Sequence, residues 1–437
     1  MSPRGPLRGF LLAEGVSLVG TRVSMIAIPW FVLTTTGSAT QTGLVTFAEM
    51  APLVGLKALT GPLVDRVGPR RVAVTADALS VLAVGAVPLL HALGQLGFPL
   101  LLVLVAAAGA LRGPGDGARN AMVPLLVEHA AVPMERATGL FAAVERSAST
   151  LGAAFAGGLV AVVGPANALA LDAASFAVSA LVLLVATRGL PRFLHAGAGS
   201  TAGAGARRPG RSAPGARPRR EAYFSELREG WDFLRRDPVL VGICAMVATT
   251  NLLDQAYAGL LVPVWGRQSG YGVGAVGLLF AVFSGASIAG AVAASAWSTR
   301  LPRFRTYLVA FLLAGAPRFV ALALPLPLWS VLAVAVLSGF ASGFINPVLG
   351  AVVFERIPAP MMGRVTALNS ALCWSLIPFG GVVGGALVTA VGLSPTLLLV
   401  GAGYLTATML PALQPRWREL DHRPGTAPAE GRVLQQS

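Results

Sequence analysis

The sequence predicts an all-α membrane protein with twelve transmembrane helices in two six-helix groups, and three observations predict it. Of the 437 residues, 55% are hydrophobic and 12% are charged, where a soluble domain carries about 25% charged residues. Apolar runs of about 20 residues, the length that crosses a bilayer, recur as six, a long polar gap, and six more. The arginines between runs crowd into every second connection.

The first run, near 9–34, follows Arg4 and Arg8 as a signal peptide would. It carries Glu14 and Arg22, continues to Trp30 and Phe31 and has no small-residue cleavage site, so it reads as a retained span. The second (40–61), third (72–93), fourth (98–122), fifth (137–162) and sixth (166–187) complete a unit over 1–187. Residues 188–237 form a connector. Its "AGAGSTAGAGARRPGRSAPGARPRR" offers no apolar face and reads as a disordered linker. Its "YFSELREGWDFLRRDP" spaces Phe224, Leu227, Trp231 and Leu234 three and four apart. That is an amphipathic helix expected on the membrane surface, or one that binds a partner. The second unit, 238–413, has runs near 238–262, 272–297, 305–326, 328–353, 364–390 and 394–413, and a disordered tail fills 414–437. Abundant Gly and Pro are compatible with membrane helices, which use both more than soluble ones do.

One set of connections holds Arg66, Arg70 and Arg71; Arg136; Arg188 onward; Arg300, Arg303 and Arg305; and Arg356 and Arg364. The other set, such as "TTTGSATQT" and "LPLPL", is nearly bare, with Arg267 the exception. The positive-inside rule then places the arginine-rich face and both chain ends in the cytoplasm of a cell's inner (plasma) membrane. On this reading the net charge of +14 orients the chain in a lipid bilayer and does not bind nucleic acid. Cys244 and Cys373 lie inside apolar runs, and no Cys/His cluster has metal spacing. No cofactor is expected.

Charge also gathers at "GPLVDRVGPRR", residues 61–71, on the arginine-rich side between the second and third runs. The connection is short, so a tight helical hairpin is expected. In it Gly61 and Gly68 permit close packing or unusual backbone angles. Asp65 can accept from backbone N–H groups at a helix start, and Arg66, Arg70 and Arg71 can meet acids or lipid phosphate. Gly61, Leu63, Asp65, Arg66, Gly68, Arg70 and Arg71 resemble the loop signature between helices two and three of the major facilitator superfamily, with Pro69 set before the arginine pair. "TRLPRFR" at 299–305 stands at the matching place in the second half, as an internal repeat would. "GTRVSMIAIPW", "SELREGWDFLRRDP" and "ERIPAPMMGRVTALNS" resemble the drug-efflux branch, close to macrolide and siderophore exporters. The resemblance implies two six-helix bundles around a central cavity, alternating access, and drive by protons. The branch's Gly-Pro-x-x-Gly-Gly in the fifth span appears here as "AAFAGG", which keeps Gly157 and Gly158 and lacks the proline.

Ionisable groups inside runs are functional candidates, because each costs at least ~2.5 kcal/mol at a span's centre. Arg112, Asp116 and Arg119, four and three apart, share one face of the fourth span. This stripe can satisfy itself, and Asp116 is expected to pair with Arg70 or Arg71 when the arginine-rich side is closed. Glu14, Glu49 and Asp254 are the proton-coupling candidates, since a low dielectric disfavours the bare charge and suits an acid to proton loading. Arg22, Arg112, Asn251 and Gln255 are the substrate-cavity candidates; Asn251 and Gln255 are expected beside Asp254 on one wet face. Asp172 and Arg318 are weaker candidates, and Lys57 is expected to reach the interface. Gly380, Gly381, Gly384 and Gly385 are expected to let helices approach closely.

The four histidines are scattered and no phosphate-binding Gly-Lys-Ser/Thr loop occurs, which disfavours a membrane-embedded enzyme and an ATP-driven pump. The leading reading is a monomeric secondary transporter, not an enzyme, that exports a lipophilic small molecule with proton coupling. An importer or lipid flippase of the same fold is the alternative.

Overall fold

The structure, a computed structural model, describes residues 4–57, 60–188, 219–297, 301–358, 361–414 and 417. The expected linker and most of the expected tail lie outside the described residues. Among the described residues twelve helical spans follow in order. The first unit comprises Gly5–Thr36, Ala39–Lys57 with its continuation Thr60–Val67, Pro69–Ala92, Phe98–Ala130, Met134–Val163 and Pro165–Ala186. The second comprises Pro238–Gln268, Gly272–Trp297, Arg303–Ala323, Leu328–Arg356, Met362–Val391 and Leu393–Met409. Ten are long and apolar enough to cross a bilayer by themselves. The second and twelfth, helices of 19 and 17 residues, pack among them.

Each half is a six-helix bundle. In the first, span one packs on spans five and six, span three on four and six, and span two on four. The bundles meet through two long seams, span two against eleven and span five against eight. Glycines allow both. Gly43 faces the backbone of Gly381, Gly385 faces Ala39, and Gly157 faces Gly277. The eleventh span sorts its four expected glycines by register: Gly380 and Gly384 face the seventh span, while Gly381 and Gly385 face the second.

These seams hold the arginine-poor ends together. There the Thr40 and Thr389 hydroxyls lie 2.8 Å apart, and Arg267, the lone arginine of that face, donates to the Leu33 carbonyl. The eleventh span breaks between Trp374 and Phe379. Only its far part, Phe379–Val391, packs along the second span; the near part, Met362–Trp374, packs on the seventh span and on the connecting helix Arg219–Arg236. The bundles therefore part toward the arginine-rich face. Lys57, expected to reach the interface, is exposed, and its ammonium lies 4.1 Å from the Trp374 ring centre, where the long seam ends.

Irregularity is concentrated in the second bundle. In the seventh span Val262 N–H reaches back five residues to Tyr257, a π-turn over Tyr257–Leu261. Pro263 has no N–H for the Gly259 carbonyl, and the Thr46 hydroxyl, from the other bundle, lies 3.4 Å from that oxygen and donates to it. The ninth span breaks at Gly315 before Pro317. Pro317 likewise leaves the Leu313 carbonyl free, and Ser338 of the tenth span donates to it at 2.8 Å. Breaks inside a membrane persist where neighbours take up the freed backbone groups and a cavity adjoins them.

Over residues 61–71 the hairpin is tight, as expected: helix continues over Thr60–Val67, and the connection shrinks to Gly68, whose φ of 92° suits glycine. The helix Arg219–Arg236 is the amphipathic segment expected on the membrane surface or on a partner. It packs on the seventh and eleventh spans, buries Leu234, and pairs Glu229 with Arg364 at 2.8 Å; the side chains of Phe224 and Leu227 lie outside the described residues. Asp237 then caps the seventh span, accepting from Val239 N at 2.9 Å.

Candidate functional site

The polar residues that sequence reasoning singled out collect at three places. The first is a cavity of about 210 Å3 between the bundles, lined by Arg22, Thr46, Glu49, Ser149, Gln255 and Ser284 among others. Glu49 comes from the middle of the second span and is buried; Arg112 of the fourth span stands 3.4 Å from it. Arg22 donates to Ser149 of the fifth span at 2.8 Å. This cavity thus presents a paired acid and a guanidinium held by a neutral hydroxyl, against an apolar wall.

The second is a cavity of about 390 Å3 inside the second bundle, which includes Asn251, Asp254, Tyr257, Arg318, Asn346 and Tyr404 in its lining. It abuts the first, since Ala258 and Phe280 line both. Asp254 and Arg318 form an ion pair here. The guanidinium carbon lies 4.8 Å from the Tyr257 ring centre, 5.0 Å from Phe319, 5.2 Å from Tyr404 and 5.7 Å from Phe283. Four rings around a desolvated cation favour its charge and fix its position. The Asp254 side chain is 40% exposed against 9% for Arg318, so the carboxylate is the charge the cavity presents. Asn251 donates to the Cys373 carbonyl at 2.9 Å and shares this cavity, whereas Gln255 turns into the other one. The single wet face expected for 251, 254 and 255 is thereby corrected: positions one residue apart on a helix diverge by about 100°.

The third is a buried cluster within the first bundle. Arg119 Nη2 donates to both Asp77 oxygens at 2.7 Å, and Ser179 donates to Asp77 Oδ2 at 2.8 Å. Glu14 stands 3.4 Å from Arg119 Nε, too poorly aligned to bond, and its Oε2 has no hydrogen-bond partner among the described residues. Two carboxylates therefore share one guanidinium.

The Arg112–Asp116–Arg119 stripe does not satisfy itself. Each arginine turns to an acid on another span, and half-buried Asp116 makes no ion pair among the described residues. The expected Asp116 pair with Arg70 or Arg71 is absent in this state. Arg70 instead donates to Thr187 at 2.7 Å and to the Leu184 carbonyl at 3.1 Å, at the end of the sixth span. Arg66 and Arg71 are exposed, Gly61 has open space around it, and the Asp65 side chain lies outside the described residues. Asp172, a weaker candidate, accepts from Ser24 and from Ser175, the latter at 3.1 Å. Asp77 went unnoticed in the sequence, although a lone acid in the third apolar run was itself a signal.

Comparison with known proteins adds relatives to this geometry. The family model of the Major Facilitator Superfamily matches residues 10–377 and 245–435. The chain is 31% identical over 428 residues to the multidrug efflux pump Tap of Mycobacterium tuberculosis (strain ATCC 25618 / H37Rv), covering 97% of this chain and 96% of that one. It is 29% identical over 422 residues to the pump of the same name from Mycolicibacterium fortuitum, covering 96% and 98%. Among solved structures, a bacterial homologue of the iron transporter ferroportin in an inward-facing state superposes with a TM-score of 0.69 at 14% identity, covering 96% of this chain and 99% of that one.

Proposed function

The chain belongs to the Major Facilitator Superfamily, and from that premise we propose that it is a proton-coupled exporter of lipophilic small molecules. The observation that carries this reading is the pair of abutting cavities, one lined by both bundles, beneath a seam at the arginine-poor ends. A pathway closed on one side and lined by two rigid bodies can be exposed to the other side by rocking them. With the arginine-rich face in the cytoplasm, the state described is inward-facing, and both ends of the chain lie inside. Two long relatives carry the name multidrug efflux pump, which supports outward transport of drugs.

Glu14 is the proton carrier in this reading. Asp77 takes the short contacts to Arg119, so ionised Glu14 leaves one uncompensated negative charge in this cluster. A proton on Glu14 makes the cluster neutral. Glu49 and Asp254 each face an arginine of their own, which leaves them no such surplus. Arg22 and Gln255 contact substrate from the wall of the first cavity and Asn251 from that of the second, while Arg112 acts on the first through its partner Glu49.

The segment with Gly61, Asp65, Arg66, Gly68, Arg70 and Arg71 acts with Asp116 as the gate that closes the cytoplasmic side. Its lock is released in the inward-facing state, in keeping with the separation of Arg70 from Asp116.

The direct experiment expresses the chain in a host stripped of its own exporters and follows accumulation of labelled drugs. Cells making the protein are expected to hold several-fold less of at least one compound, and a protonophore restores its level. Equal accumulation in cells that demonstrably make the protein sinks the proposal. Asp65→Asn is expected to abolish export at normal expression; unchanged export removes this segment from the gate.

A further inference from the structure

A third cavity, of about 380 Å3, opens between the ninth and tenth spans of the second bundle, on the other side of these spans from the second cavity. Its floor is made of small residues, Ala310 and Ala341, and its walls of Val309, Leu313, Leu337 and Phe340. Both alanines are buried, while Val309, Leu337 and Phe340 remain exposed at 55%, 47% and 38%. The groove follows the helix Arg303–Ala314, whose 12 residues measure roughly 18 Å. That is close to half of the ~30 Å hydrocarbon core, so the groove is one leaflet deep.

Its polar residues sit at the arginine-rich mouth. The Thr306 hydroxyl is satisfied by the Pro302 carbonyl at 2.8 Å. Neighbouring Arg303 is held by Glu355 through two contacts of 2.6 Å. Arg305 also lines the groove, is exposed, and makes no ion pair among the described residues. A slot for one acyl chain is thus topped by a guanidinium whose charge is not taken up by a nearby acid.

We propose that this groove between the ninth and tenth spans is a binding site for an anionic phospholipid, one acyl chain lying on Ala310 and Ala341 and the phosphate meeting Arg305. Leaflet-long apolar depth and a cation at headgroup level are complementary to that one molecule; a polar substrate would leave the walls unmatched and a free anion would use only the mouth. A lipid seated there braces the ninth span just before its break at Gly315, where Ala314 lines the second cavity.

The test uses the full chain in detergent micelles and native mass spectrometry, with phosphatidylglycerol and phosphatidylcholine of identical acyl chains added in competition. The unmodified protein is expected to retain phosphatidylglycerol about fivefold better, the preference one interfacial arginine supplies. Arg305→Gln is expected to bind both lipids alike, and Ala341→Leu, which fills the floor, to lose the high-retention lipid altogether. Glycerol phosphate, lacking acyl chains, is expected not to compete. An undiminished phosphatidylglycerol preference in Arg305→Gln, unchanged retention in Ala341→Leu, or displacement by glycerol phosphate overturns the assignment. Thermal unfolding midpoints of both variants without added lipid identify any general loss of folding.

Discussion

Glu14 and Asp77 look alike in composition and differ in what holds them. Asp77 is clamped by Arg119 and Ser179, whereas Glu14 is buried beside the same arginine without a hydrogen bond at Oε2. Two isosteric substitutions separate them. Glu14→Gln mimics the protonated acid, so the protein is expected to fold normally, to lose drug export driven by a proton gradient by tenfold or more, and to keep substrate exchange that needs no proton. Asp77→Asn strips the main partner from a buried guanidinium, a loss that costs about 3–5 kcal/mol. Its expected signature is a lower unfolding midpoint and poor expression. Transport assays on proteoliposomes with an imposed gradient, set beside unfolding curves, distinguish the two. Glu14 was legible in the sequence as an acid inside a span. Its surplus was not, because Asp77 and Arg119 lie 42 positions apart and no spacing rule along one helix joins them.

Helices were easier to read than their interruptions. Span positions followed from run length, and even the eleventh span's glycines announced close approach. The π-turn at Tyr257–Leu261 and the ninth-span break at Gly315 did not announce themselves, because proline is common in membrane helices whether or not they break. What decides is the neighbour: Thr46 for Gly259 and Ser338 for Leu313. The pairing of spans two and eleven was likewise invisible until Thr40 and Thr389 stood 2.8 Å apart. These two positions define a test at the level of the element. With Thr40→Cys and Thr389→Cys together, oxidation is expected to tie the two spans, block export almost completely, and be undone by a reductant. Either single variant is expected to export normally under the same oxidation. Undiminished export by the cross-linked protein would show that this seam stays shut throughout the cycle.

Across the whole molecule, arginine asymmetry yields a topology that can be measured. Tags placed at residues 38 and 93 are expected to react with membrane-impermeant reagents from outside the cell, and a tag at residue 68 only after permeabilisation. The reverse pattern would invert the gates. Six-plus-six organisation was readable from composition because each span must carry its own apolar length. How the two halves lean was not, since both conformations of such a machine use the same sequence. The eleventh span shows the consequence most sharply. On the proposed rocking motion, Gly380 and Gly384 serve a partner in their own bundle, while one residue later Gly381 and Gly385 serve a partner that must let go. Genetic variation should feel this two-residue rhythm: bulk at 380 or 384 impairs biogenesis and leaves little protein to assay, whereas bulk at 381 or 385 yields well-made pumps biased toward one side of their stroke. A single step along the helix thus separates inherited defects of manufacture from inherited defects of motion.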